Sequence, residues 1–359
     1  MKVMIAAGGT GGHLYPGIAI ARELLREPGT EAVFVGTDQG VEARVLPKEG
    51  LPLRLLPAGK LKGMSIVARV RTLLALPRSL SAAVKLLRSE RPAVVVGIGG
   101  YASGPVGLAA WMLRIPVLIV EPNAYAGLTN RILGRIAKKV FVSFPGRDSQ
   151  NLFPARKKVL TGPLVRKGID GGEAWQALTT FGLEPGRFTV FVMGGSGGAH
   201  AINMAMRVAA ADLARVPGIQ ILHQTGEKDT AEVERGYRES GVTCAVLPYI
   251  QDMAAAYAAA DLVVARSGAT TVAELAACGK RAVLIPYPYA ADRHQEHNAW
   301  SLAEGGGAEV IIQEDLTPGK LAQVIRTYAA AGRRDVPPVP ATAAEEIARA
   351  CREYVVTRQ

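Results

Sequence analysis

Apolar residues in the first 165 positions gather in short unbroken runs, and these are separated by longer mixed stretches of helical character. Lys2–Ala7, Ala32–Val35, Ala93–Ile98, Val117–Val120 and Val140–Val142 predict buried strands. Gly17–Arg26, Ser65–Arg88, Gly104–Leu113 and Gly127–Ile136 predict the helices between them. Runs buried on both faces, joined by helices, predict a parallel, doubly wound sheet. The pattern then restarts. Strands are expected at Phe188–Met193, Ile219–Gln224, Thr243–Leu247, Leu262–Ala265 and Arg281–Ile285, with helices at Ala201–Leu213, Ala231–Gly236 and Thr271–Ala277. Leu316–Ala331 and Ala343–Val355 read as closing helices.

The two halves open alike. Val3-Met4-Ile5-Ala6-Ala7 runs into Gly8-Gly9-Thr10-Gly11-Gly12, and Val190-Phe191-Val192-Met193 runs into Gly194-Gly195-Ser196-Gly197-Gly198. A repeated strand–glycine turn–helix opening predicts two Rossmann-like α/β domains facing each other across a cleft, with a linker near Thr161-Gly162-Pro163-Leu164. A chain of 359 residues also exceeds what a single hydrophobic core usually serves.

Composition narrows the setting. Cys244, Cys278 and Cys351 are far apart and form no CxxC pair, which predicts neither a disulfide framework nor a zinc site and suits a reducing compartment. The apolar run from Met1 to Ala7 is too short for a signal peptide or a membrane span, and no other stretch offers about twenty uncharged apolar residues. The expected protein is cytosolic and does not cross a membrane. Its net charge of +11 is segregated: residues 1–165 carry 23 Lys and Arg against 9 Asp and Glu, and the remainder carries 19 against 22. A basic first half predicts an anionic partner there. With aromatics at 6% and no basic-aromatic stripe, nucleic acid is not expected.

Glycine turns between a buried strand and a helix present backbone N–H groups to an anion such as phosphate. Neither turn is the dinucleotide fingerprint, because Leu14 and His200 stand where its third glycine would be. In Ala265-Arg266-Ser267-Gly268-Ala269-Thr270-Thr271-Val272-Ala273-Glu274, Ser267-Gly268 breaks a strand and the next residues begin a helix whose first turn suits a diphosphate. Glu274 follows about one turn later, where a carboxylate can take bonds from vicinal hydroxyls. The polar cluster Asp292-Arg293-His294-Gln295-Glu296-His297-Asn298 suits sugar hydroxyls better than a metal, since no thiol or third histidine accompanies the two imidazoles.

Taken in order, Gly8–His13, Gly99–Pro105, Glu121–Asn123 with Ala126–Asn130, Gly162–Arg166, Gly194–Ala199, Tyr249-Ile250 with Asp252-Met253, Arg266–Glu274 and Asp292–Asn298 closely resemble the motifs of the MurG family. Members of that family add N-acetylglucosamine to undecaprenyl-pyrophosphoryl-muramoyl pentapeptide (lipid I), giving lipid II for peptidoglycan. The resemblance implies a glycosyltransferase-B fold, UDP-N-acetylglucosamine as donor, lipid I as acceptor, and neither cofactor nor essential metal. It implies an acceptor- and membrane-facing domain over 1–163, a donor domain over 164–340, and a helix over about 341–359 packing back onto the first.

By position, Thr10, Gly11 and Gly12 are expected to line the cleft from the N-terminal side, with His13 near the reacting centre as candidate base. Asn123 is expected on the donor sugar, Arg166 and Ser196 on the nucleotide diphosphate, and the Ile250 backbone on the uracil edge. Ala269, Thr270 and Thr271 would meet phosphate in the stretch that continues through Val272 and Ala273. Glu274 would hold the ribose and Gln295 the N-acetylglucosamine hydroxyls. The chain departs from the family pattern at Val120 and Pro122, where the family usually has His and Gln, and at His294, usually Gln.

The implied chemistry is inverting attack by the acceptor hydroxyl, which needs a base and stabilisation of charge on the departing diphosphate. Because the acceptor carries a lipid, peripheral contact with an anionic membrane at its cytoplasmic face is expected. Lys60–Arg78 is the candidate segment, with Ile66, Val70, Leu73 and Leu74 flanked by Lys62, Arg69 and Arg71. The alternatives are other UDP-sugar enzymes of the same fold: a glycolipid glycosyltransferase, or a UDP-N-acetylglucosamine 2-epimerase, for which Glu121 lacks an evident second carboxylate.

Overall fold

The computed structural model describes residues 1–38, 40–57, 66–145 and 152–356, excepting the side chains of 66–75 and 355–356. Two compact units divide the chain: Met1–Arg166 with Ala341–Gln359, and Lys167–Pro340.

The first unit is built on seven parallel strands, β1 (Lys2–Ala7), β2 (Glu31–Gly36), β3 (Leu53–Leu55), β4 (Val94–Gly99), β5 (Val117–Glu121), β6 (Lys139–Val142) and β7 (Lys158–Leu160), in the order β3-β2-β1-β4-β5-β6-β7. Strand periodicity decides which layer each β1 side chain meets. Val3, Ile5 and Ala7 point to the core shared with α1 (Gly11–Leu24) and the C-terminal helix, whose Ile347 and Cys351 are fully buried there. Met4 and Ala6 point to the opposite core, shared with α3 (Ile66–Glu90), α4 (Gly100–Met112) and α5 (Leu128–Ile136). The short α2 (Glu42–Val45) lies between β2 and β3.

The second unit repeats the plan with six parallel strands, β8 (Phe188–Met193), β9 (Ile219–Gln224), β10 (Cys244–Leu247), β11 (Leu262–Ala265), β12 (Ala282–Leu284) and β13 (Ala308–Val310), ordered β10-β9-β8-β11-β12-β13. Its helices are α6 (Ala174–Thr180), α7 (His200–Leu213), α8 (Thr230–Ser240), α9 (Met253–Ala259), α10 (Ala269–Cys278), α11 (His294–Glu304) and α12 (Pro318–Ala331). The C-terminal helix of the first unit, Ala343–Val356, is α13.

The predicted α/β class with two doubly wound sheets is what the structure has. Helices α2, α6 and α9 are absent from the sequence pattern, and two further features differ from it. Helices α1 and α4 begin at Gly11 and Gly100, earlier than the expected Gly17 and Gly104. Glycines and a proline at the sixth helical position (Pro16, Pro105) mask these starts, since both residue types ordinarily count against a helix. Strands β3, β7 and β13 have three residues each, too few to show a period.

Candidate functional site

In each sheet the strand order reverses beside the first strand, and the connections leaving the two neighbouring strand ends form the natural ligand crevice. In the first unit these are the turns after β1 and β4. Gly100 has φ of 77° and sits so close to the Gly8 carbonyl that a β-carbon would strike it, so the two turns pack backbone to backbone. Thr10 is the N-cap residue of α1, and Gly11 and Gly12 supply the first helical amides, which have no partner within the helix. His13 follows with its Nδ1 3.2 Å from Thr10 Oγ1. Its imidazole lies over Gly99, where an added β-carbon would come within 3.0 Å of the ring.

A fully buried carboxylate braces the turn from behind. Glu42 accepts from Gly9 N at 3.0 Å, Thr37 N at 2.8 Å and Thr37 Oγ1 at 3.1 Å. Gly8, Gly36 and Gly40 close around it and leave no room for side chains of their own. Ser103 joins the two strand ends, accepting from Gly99 N at 3.0 Å and reaching Ala6 O at 2.6 Å.

At the end of β5, Glu121 is 1% exposed and takes four N–H donors: Asn123 N (3.0 Å), Asn123 Nδ2 (3.1 Å), Gly127 N (3.0 Å) and Asn130 Nδ2 (2.9 Å). Burial pushes its pKa up to about 7 against the pull of those donors. Asn123 is thus positioned by Glu121. Arg166 lies with its guanidinium 5.4 Å from the Tyr15 ring centroid, within the first unit.

In the second unit, the turn after β8 exposes Ser196 and Gly197. Gly198, at φ 73°, presses against the Thr225 carbonyl with no space for a β-carbon. The brace here is neutral. Gln224, 2% exposed at the end of β9, donates from Nε2 to Gly195 O at 3.0 Å and accepts at Oε1 from Ile250 N at 2.8 Å. Of the Ile250 backbone, expected on the uracil edge, the amide is therefore engaged by Gln224. On the other face of β9, His223 Nδ1 lies 2.7 Å from Tyr237 Oη, and its Nε2 lies 3.1 Å from Asn203 Oδ1. Asn203 in turn donates to Thr225 O at 2.8 Å. Burial drives the His223 pKa down to about 3, so the imidazole is neutral.

Helix α10 starts directly after β11. Gly268 is its N-cap, and Val272 N makes the first helical bond back to Gly268 O, which leaves the amides of Ala269, Thr270 and Thr271 as the unpaired first turn. Thr270 Oγ1 is buried with no partner among the described residues. Val272 and Ala273 face the core. Glu274 is 4% exposed and its Oε2 accepts from Tyr257 Oη at 2.9 Å, so it is a buried, oriented carboxylate. Ser267 Oγ donates to Gln295 O at 2.7 Å, bringing the start of α11 beside that of α10. Gln295 Oε1 accepts from Tyr287 N at 2.9 Å. Asp292 and Arg293, at φ 50° and 51°, hold the left-handed backbone that β-carbons disfavour, a strain typical of functional turns.

Ser196, Ile250, Ala269–Glu274 and Gln295 thus lie on the second unit, while Thr10–His13, Asn123 and Arg166 lie on the first. Sequence reasoning did not single out Glu42, Ser103, Asn130, Gln224 or Tyr257. For Gln224 a signal existed: His223-Gln224 is a polar pair closing an apolar strand. For Glu42 the only hint was the pair of glycines shortly before it, Gly36 and Gly40.

Residues 3–142 match the glycosyltransferase family 28 N-terminal domain, and residues 189–352 match the family's C-terminal domain. A UDP-N-acetylglucosamine–N-acetylmuramyl-(pentapeptide) pyrophosphoryl-undecaprenol N-acetylglucosamine transferase from Anaeromyxobacter dehalogenans strain 2CP-1 is 46% identical, over 100% of this chain and 94% of that protein. The crystal structure of Acinetobacter baumannii MurG superposes with a TM-score of 0.78 at 33% identity, covering 98% of this chain and 99% of that one. A UDP-N-acetylglucosamine 2-epimerase structure reaches a TM-score of 0.65 at 16% identity, covering 100% of this chain and 98% of that one, a likeness of fold alone.

Proposed function

The chain belongs to the MurG family of family 28 glycosyltransferases, and from that premise we infer that it transfers N-acetylglucosamine from UDP-N-acetylglucosamine to the muramoyl sugar of lipid I, forming lipid II. Full-length identity to a transferase, against fold-level likeness to the epimerase, favours transfer over epimerisation.

The observation that carries the donor site is the start of α10. Three amides of the helix start, the positive end of a helix dipole and a buried hydroxyl with no partner among the described residues suit a diphosphate. Glu274, aimed by Tyr257, accepts the ribose hydroxyls, and Gln295 serves the sugar. The Ile250 carbonyl suits the uracil N3–H, because the amide of the same residue is engaged by Gln224. Ser196 and Arg166 add donors for the diphosphate oxygens.

On the first unit, His13 is the base. In the tautomer whose Nδ1–H donates to Thr10 Oγ1, the accepting lone pair is on Nε2. The acceptor hydroxyl attacks the anomeric carbon opposite UDP and its proton passes to Nε2. The bond to the diphosphate oxygen breaks, and the charge that develops there meets the amides of α10. Configuration inverts.

The lipid acceptor calls for an interfacial surface. The segment Lys60–Ser65 lies outside the described residues, and 66–75 are described without side chains. The layer formed by α3, α4 and α5 supports the same reading elsewhere: Leu76, Leu108, Trp111, Met112, Leu128 and Ile132 are exposed, interspersed with Arg78, Arg114, Arg135 and Lys138. No helix among the described residues is long and apolar enough to cross a membrane. Peripheral binding to an anionic, cytoplasmic membrane face fits this basic unit.

Labelled UDP-N-acetylglucosamine incubated with lipid I and a chelator tests the assignment. Formation of lipid II is expected. Failure of transfer, or epimerisation of the donor without acceptor, would overturn it.

A further inference from the structure

Gln224 sits where the two recognition elements of the nucleotide part company. Strand β9 lies between β8 and β10 in the sheet, so the end of β9 is flanked by the glycine turn on one side and by Pro248–Ile250 on the other. The Gln224 side chain spans that gap. Its amide is directional: the N–H end faces Gly195 O and the oxygen end faces Ile250 N, so neither can be exchanged without leaving a buried backbone group unpaired.

The end of β9 is itself pinned on its opposite face by Tyr237, His223 and Asn203, the last of which holds Thr225 O. Against that carbonyl packs Gly198, the last residue of the same turn. The cross-piece is therefore anchored to a rigid strand end rather than to a loop.

We propose that Gln224 is a positioning residue that ties the diphosphate-binding turn at Gly195–Gly198 to the base-reading backbone at Ile250, holding the uracil and diphosphate subsites at one separation. The proposal rests on the donor reading above. A nucleotide gains both contacts at once only if they are already set apart by its own length, and a fixed cross-piece supplies that preorganisation. Base selectivity follows from the same bond. With Ile250 N–H held by Gln224, the residue offers the base an acceptor only, which suits the N3–H of uracil and not the bare N3 of cytosine.

Two variants separate the ends of the amide. Gln224→Met removes both hydrogen bonds. Gln224→Glu keeps an acceptor toward Ile250 N but sets a second oxygen against Gly195 O; once protonated, the carboxyl regains a donor there. Titration calorimetry of the full chain with UDP and with CDP, from pH 8 down to pH 5.5, reads the outcome against wild type at each pH.

Gln224→Met is expected to weaken UDP binding roughly tenfold or more and to shrink the preference for UDP over CDP. Gln224→Glu is expected to bind UDP weakly at pH 8 and to recover toward wild type as pH falls, a response that a merely structural lesion does not give. Variants that match wild-type UDP affinity and selectivity would overturn the proposal while leaving the donor site in place. Should Gln224→Met fail to fold, absence of acid recovery in Gln224→Glu would overturn it alone. Wild type that binds no UDP would instead remove the donor reading itself.

Discussion

The two glycine turns are near copies in sequence yet are braced in opposite ways. Behind the turn after β1 stands the carboxylate of Glu42, bonded to Gly9 N. Behind the turn after β8 stands the neutral amide of Gln224, bonded to Gly195 O. A buried carboxylate uses up amides and opposes an incoming anion; a neutral amide bonded to a carbonyl leaves the amides of the turn for the ligand. On the proposed function, the first turn is thereby suited to presenting His13 and an acceptor, and the second to holding a diphosphate. The buried titrating groups differ as well: the first unit holds an acid pushed up, Glu121, and the second an imidazole pushed down, His223.

This contrast is most sharply tested in kinetics. His13→Ala is expected to lower kcat by about 10²–10⁴ while leaving UDP affinity near wild type, because general-base catalysis is what it removes. Glu274→Ala is expected instead to raise the donor KM by roughly tenfold to a hundredfold. If both variants weakened UDP binding equally, the division of labour between the units would be wrong.

The next effect is on stability in acid. Unfolded histidine takes up a proton near pH 6.5, and folded His223 does not until about pH 3. The unfolded state therefore binds more protons in that window, and stability is lost as pH falls through it, by up to about 5 kcal/mol from this residue. Urea unfolding at stepped pH is expected to show a shallower acid slope in His223→Gln than in wild type.

Glu121 has the opposite sign and a smaller range. Its folded pKa of about 7 lies above the ordinary 4.5, so the folded state binds more protons between those values. Stability then falls as pH rises from 4.5 to 7, by about 3 kcal/mol from this group. The same unfolding series on Glu121→Gln should lack that component. Glu42→Gln turns an amide N–H₂ against the N–H of Gly9 or Thr37 and is expected to cost about 2–3 kcal/mol by leaving buried donors unpaired. Calorimetric melting checks it, and an unchanged Tm would show that the first turn does not depend on a charged brace.

Much of this architecture could be read from the chain because it is local. Runs such as Lys2–Ala7 and Phe188–Met193 are apolar on both faces, and only a strand covered by helices on two sides buries them. The repeated glycine turn announced the duplication, and Ser267-Gly268 announced the start of α10 because a helix N-terminus has its own chemistry. The three-residue strands β3, β7 and β13 left no such mark, since their pairing depends on a neighbouring strand and not on their own residues.

Sequence alone determined the α/β class, the twofold repeat, the family and the places of the glycine turns and of the α10 start, all properties carried by contiguous residues. Only the tertiary structure decided that Glu42 and Gln224 brace the two turns with opposite chemistry, that Tyr257 aims Glu274, and that Glu121 orients Asn123. Each of those depends on a side chain meeting backbone or carboxylate across a gap that the order of residues does not encode. Burial then decides what the meeting is worth, because a hydrogen bond or a charge gains its energetic weight from the water that packing removes.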